Sequence, residues 1–199
     1  MFRRSRTALA AAALAVSSLA LVAHAGEFSN LDVGKVKIEA AASGLGKFDG
    51  DLSSVTVKET GGKLVFTANL TCGLDMGVRD SDTRKKFKIG EKDLCDDKQA
   101  NKDKFAYGKL IVDKDKLKVP EDKKEVSSSA PGTLKLPTGE IPVKVDYTVS
   151  RTGSDYHIKS AKFTFDYTKA VPKICLPGGI VCVKPDVTVR LGKMRLREK

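Results

Sequence analysis

The sequence has no tryptophan, two histidines and only 6% aromatic residues. Each scarcity removes a class of function. His24 stands near the N-terminus, so His157 is the only histidine in the body of the chain. One histidine cannot assemble a histidine-rich metal site. It lies between Tyr156 and Ile158, opposite in phase to the apolar positions, which reads as a solvent-facing strand residue rather than a catalytic base. The few aromatics are not grouped as stacking platforms, and no arginine-rich block accompanies them, so the expectation is no nucleic-acid binding. No glycine loop leads into a helix to cradle phosphate, and no C-x-x-C redox motif is present. Asp96, Asp97 and Asp103 cluster, but without the central glycine and terminal glutamate of a calcium loop. No pair of carboxylates stands out for glycoside hydrolysis. The expectation from these absences is a binding protein rather than an enzyme, with no metal and no cofactor.

Long apolar runs are also missing, with one exception. Ala8 to Ala23 is apolar apart from Ser17 and Ser18, follows Arg3, Arg4 and Arg6, and ends in Ala23-His24-Ala25. This order of charge, apolar stretch and small residues reads as a secretory signal peptide over residues 1–25. The remaining chain, 26–199, is of a length for one domain with a sizeable core. It places the protein in the periplasm or outside the cell. Beyond the signal region there are 33 basic and 25 acidic residues, and the lysines are spread along the chain. Such a spread makes a solvated surface with attraction for an anionic membrane. The sequence sets no oligomeric state.

Four cysteines, Cys72, Cys95, Cys175 and Cys182, follow the signal region. In an exported chain they are expected to form two disulfides, with three possible connectivities. Cys175 and Cys182 flank Pro177-Gly178-Gly179, a turn signal that would bring their Cα atoms within bonding range. They are therefore paired, and Cys72 pairs with Cys95 by elimination.

The dominant period is two, the alternation of half-buried strands. Eight strands follow from it: around Val36–Ala40, Leu52–Val57, Leu64–Leu70, Phe105–Val112, Thr133–Leu136, Ile141–Val149, Tyr156–Tyr167 and Val187–Leu196. The apolar phase shifts between Ser160 and Ala161, and again around Gly192. A shift of one residue would turn the core face outward unless a bulge absorbs it. Bulges at matching places curve long strands, as a closed barrel needs. Between strands, residues 79–104 are highly charged. A short helix is expected near Ser81–Phe87, capped by Ser81 or Asp80, followed by a polar loop tied down at Cys95. A second charged loop is expected over 113–129.

The fold class is thus all-β, an eight-stranded antiparallel barrel with a short helix and charged loops. Alternation points Phe66, Leu70, Val143, Val145, Tyr147, Phe163, Phe165, Val187 and Val189 inward. Alternation by itself does not separate a packed core from a ligand cavity. A filled barrel whose basic surface binds anionic lipid or polysaccharide is the second reading.

A resemblance bears on that choice. The segment Gly132-Thr133-Leu134-Lys135-Leu136-Pro137-Thr138-Gly139-Glu140-Ile141-Pro142-Val143 resembles the "GtLtlxGxtxPV" segment of the YceI-like family. Gly77-Val78-Arg79-Asp80, continuing to Phe87, is similar to that family's "tGixxRDxxxrxxf" segment. Phe48-Asp49-Gly50 resembles its early "FxG" turn, and the stretch from Val171-Pro172 to Val187-Thr188-Val189 its closing strand pair. The fragments keep the family's order over about residues 33–197. The resemblance implies a lipocalin-like barrel exported to the periplasm. It also implies an elongated apolar cavity for a polyisoprenoid chain, such as a quinone tail, and no catalytic residues. On that basis the nine inward residues become the expected lipid-binding set and an isoprenoid lipid the expected partner. The family's first strand often carries a histidine-serine pair, which Val33 to Ala41 lacks.

Overall fold

The computed structural model describes residues 28–32, 35–53, 55–77, 80–97, 100–175 and 181–198. The expected signal peptide and the Pro177-Gly178-Gly179 turn lie outside the described residues.

The period-two segments fold as strands: β1 (Phe28–Asp32), β2 (Val36–Ala42), β3 (Gly46–Leu52), β4 (Val55–Thr60), β5 (Lys63–Asn69), β6 (Leu74–Asp75), β7 (Tyr107–Asp113), β8 (Glu125–Leu136), β9 (Gly139–Thr152), β10 (Asp155–Asp166), β11 (Asp186–Leu191) and β12 (Met194–Glu198). Two helices, α1 (Leu70–Gly73) and α2 (Asp80–Phe87), interrupt them. All strands join one sheet in the order β4-β5-β7-β8-β9-β10-β11-β2-β3-β6, with β12 pairing both β10 and β1. Neighbours run antiparallel. The sheet curls until β4 packs beside β1. The result is an all-β, lipocalin-like barrel.

The strand count differs from the expected eight, for local reasons. Ladders β2–β11 and β1–β12 continue one another, so these four segments act as two long curved strands. The Leu52–Val57 segment, expected as one strand, is split between β3 and β4. Ser53 leaves the sheet there, its N–H donating to the carbonyl of Gly73 at 2.9 Å. Leu52 and Val55 are both buried although their spacing is odd, which is the sign of the break. β8 is far longer than the expected Thr133–Leu136, and the second charged loop shrinks to 114–124. The added residues, Glu125 to Gly132, are poor in apolar side chains and pair along β9. Pro131 sits just outside the β7 ladder, which begins at Gly132, an edge position where a proline is tolerated. Leu70, expected in the third strand, opens α1 instead, because the Asn69 side chain accepts from the Cys72 N–H at 3.1 Å and caps the turn.

Both phase shifts are real. The β10–β9 register slips between Ile158 and Ser160, a bulge with Lys159 as the extra residue. The strand opposite breaks between Leu191 and Met194. Gly192 fits there for want of a side chain: a Cβ would come within 2.8 Å of the Lys35 carbonyl oxygen. The core is one continuous cluster through the barrel, with a smaller cluster of Ala40, Tyr167, Val171 and Val187 at one end.

Candidate functional site

Among the described residues, two cavities open within the barrel. The upper, of about 450 Å³, sits at the end built by α1, α2 and the cysteine hairpin. The lower, of about 90 Å³, sits at the end crossed by the 114–120 loop.

The upper chamber's walls come from strand residues with the right phase: Ile38, Ala40 and Ala42 on β2, Phe48 on β3, Phe165 on β10 and Val187 on β11. Leu70, Leu74, Met76, Phe87 and Ile89 complete it from the helical side. Leu45 also lines it and is 57% exposed, so the chamber reaches the surface at the β2–β3 turn. The polar side chains on its lining are Asp49, Asp82 and Thr83. Phe48-Asp49-Gly50, expected as a turn, lies within β3. Its glycine makes room for the wall: a Cβ on Gly50 would meet Met76 Sδ at 2.1 Å.

A buried cation holds the helical wall in place. Arg84 is 2% exposed. Its Nη1 donates to the carbonyls of Thr71 (2.7 Å) and Gly90 (3.1 Å), and its Nη2 to that of Leu74 (2.7 Å). Its Nε donates to Asp80 Oδ2 at 2.5 Å. Asp80 Oδ1 in turn accepts from the Met76 N–H at 3.3 Å. The expected helix is present, and Asp80 is its first residue rather than a cap before it. Thr71, fully buried, extends this network: its hydroxyl donates to the Ile89 carbonyl at 2.6 Å and accepts from the Ala106 N–H at 2.8 Å. The Gly77 N–H, seconded by Lys92, holds the Asp75 carboxyl below its ordinary range.

Both expected disulfides form. Cys72–Cys95, with Cα atoms 5.5 Å apart, ties the charged loop to α1. Cys175–Cys182 closes the hairpin over the chamber, with Cα atoms 3.9 Å apart. Tyr167 seats that hairpin, donating to the Val183 carbonyl (3.1 Å) and accepting from the Ile174 N–H (3.0 Å). Its ring lies 6.4 Å from that of Phe87 across the chamber wall.

The lower chamber has an apolar lining under a charged rim. The Lys114 ammonium lies 3.1 Å from Glu59, 3.7 Å from Glu198 and 4.9 Å from the centre of the Phe28 ring. The Tyr147 hydroxyl accepts from the Lys118 N–H at 2.7 Å and pins the loop. The Tyr156 hydroxyl donates to Glu198 at 3.0 Å. Burial first, and that carboxylate second, push its pKa up to about 12.

The nine residues expected to face inward divide by level. Leu70, Phe165 and Val187 line the upper chamber. Phe66, Val145 and Tyr147 line the lower one. Val143, Phe163 and Val189 belong to the packed core between them. Alternation missed the contribution of Met76, Phe87 and Ile89, which lie outside the long strands and carry no period. It also missed the hairpin residues Ile174 and Val183, and Tyr167, although in phase with Phe163 and Phe165, was not among the nine. His157 stands on β10 opposite Ser150 and Arg195, partly exposed. Among the described residues, no three His, Cys, Asp or Glu side chains gather as a metal site would require.

The curled sheet has a counterpart among solved structures. The fold is shared with a polyisoprenoid-binding domain. That domain, from Saccharophagus degradans and implicated in plant cell wall breakdown, is 12% identical, with a TM-score of 0.57 over 87% of this chain and 99% of its own. The crystal structure of Burkholderia cenocepacia BcnA is 14% identical, with a TM-score of 0.49 over 82% of this chain and 99% of its own. No protein-family model and no curated protein sequence matches the chain. At 12% identity, the likeness to the polyisoprenoid-binding domain establishes the fold. The two disulfides suit a chain outside the reducing cytoplasm.

Proposed function

We propose that the protein is an exported carrier or store that holds a polyisoprenoid, or a similar apolar lipid such as a quinone tail, in the upper chamber. The observation that carries this reading is the chamber itself. A cavity of about 450 Å³ with a mostly apolar lining reaches the surface at one end of the barrel. Such a volume lies within the range of small-molecule sites, which run from about 300 to 1,000 Å³. Binding would come from removing the tail from water, at about 25 cal/mol per Å² before ordering costs. The shared fold with a polyisoprenoid-binding domain supports the choice of lipid. The residue order of 1–25 and the two disulfides support export to the periplasm or beyond. The spread of lysines favours an anionic membrane surface as the place of exchange.

The test is direct. Organic extraction of the purified protein, followed by mass spectrometry, should release a prenyl lipid. The stripped protein should take up added polyprenol. Repeated absence of any lipid, together with no uptake, overturns the reading.

A further inference from the structure

Along β10 and β11, one inward residue separates the linings of the two chambers. On β10, Ala161 lines the lower chamber and Phe165 the upper, with Phe163 between. On β11, Leu191 and Val187 stand on either side of Val189 in the same way. Phe163 supplies this layer's aromatic ring. It is 4% exposed, and its ring lies 6.2 Å from that of Phe165, which faces the upper chamber.

We infer that Phe163 blocks the bore beneath the upper chamber and sets how much of an apolar tail the protein buries. The inference rests on the upper chamber being the lipid site. The chamber volume of 450 Å³, at ~30 Å³ for each small group by analogy with water in the liquid, holds about fifteen non-hydrogen atoms, or about three isoprene units. Carbons beyond that stay in water at the mouth and contribute little. The 90 Å³ of the lower chamber becomes available only when the ring is removed. A close-packed layer does not yield this space for free, because each side chain in it fills a well-defined place.

The experiment titrates lipid-stripped protein with geraniol, farnesol, geranylgeraniol and solanesol, linear prenols of increasing length delivered from cyclodextrin. Affinity should rise by about tenfold or more from geraniol to farnesol as further carbons are buried. From farnesol to the longer prenols it should change by less than about twofold. Phe163→Ala should restore a gain of about tenfold at the geranylgeraniol step by joining the chambers. Phe163→Leu, which keeps the layer apolar and better filled, should restore part of it. Methyl resonances of Val145 and Leu196, in the lower chamber, give a readout in the unmodified protein. They should stay in place with every prenol, and move in the alanine variant with geranylgeraniol. Equal gains at every added length in the unmodified protein, or movement of those resonances there, overturn the inference and leave the lipid site standing. Binding of no prenol at all overturns both.

Discussion

Arg84 is the residue on which the chamber wall depends most. It is one of the charged residues of the 79–104 stretch, yet it is buried and serves three backbone carbonyls and one carboxylate. Removing it leaves those acceptors unpaired in a dry place, where each costs more than the bond itself contributes. Arg84→Ala should destabilise the fold by about 3–5 kcal/mol in urea unfolding. Arg84→Lys should recover little, because an ammonium cannot reproduce the planar fork. Tyr156 makes a second prediction through pH. Its folded pKa, about 12, lies above the ordinary 10.0. The folded state therefore favours the protonated phenol. That contribution is complete below pH 10 and is lost as pH rises from about 10 through 12, so stability should fall across that window. Tyr156→Phe should remove this step from the stability profile, measured by denaturation at a series of pH values.

At the level of elements, the Cys72–Cys95 disulfide joins α1 to a loop that has little else to hold it. The polar stretch from Lys92 to Asp97 buries no side chain fully. With a sequence separation of 23, loss of the link should cost about 3 kcal/mol through unfolded-state entropy. The Cys72→Ala/Cys95→Ala double variant should show that loss in denaturant melts. The Cys175–Cys182 link, with a separation of 7, should cost about 2 kcal/mol by the same measure. Elements were legible in the sequence where a single periodicity ruled. β9 and β10 alternate so cleanly that their bulge could be placed within a residue or two. The helix at Asp80–Phe87 was legible from its entry residues. The split of β3 from β4 showed only as an odd spacing, and the polar half of β8 showed not at all, because Ser127, Ser128 and Ser129 give alternation nothing to display. Alternation does not single out Arg84 either: what buries it is a set of backbone carbonyls, which leave no trace in residue identity.

For the whole molecule, two kinds of binding separate by their response to salt. The chain carries a formal net charge of +11, and surface attraction for an anion weakens steeply as ions screen it. A tail inside the upper chamber meets mostly apolar atoms. Prenol uptake by the soluble protein should therefore change by less than about twofold between low and high salt, while adsorption to anionic vesicles should fall strongly. Titration at two salt concentrations separates them. Sequence alternation found the inner surface of the barrel without its partition. Which inward residues face space and which face one another depends on the barrel's level, and level comes from register between strands distant in sequence.

The bulge at Lys159 and the break at Gly192 and Lys193 have a consequence for how the bore is encoded. Remove Lys159, and the inward series from Tyr156 and Ile158 to Ala161 and Phe163 becomes unbroken alternation. Remove one residue between Leu191 and Met194, and the facing strand reads the same way. Inside and outside would survive both deletions; the bend would not. The curvature that leaves room inside the barrel is thus written in the count of residues along two neighbouring strands. Chains with the same core side chains can enclose different volumes by gaining or losing one spare residue on each.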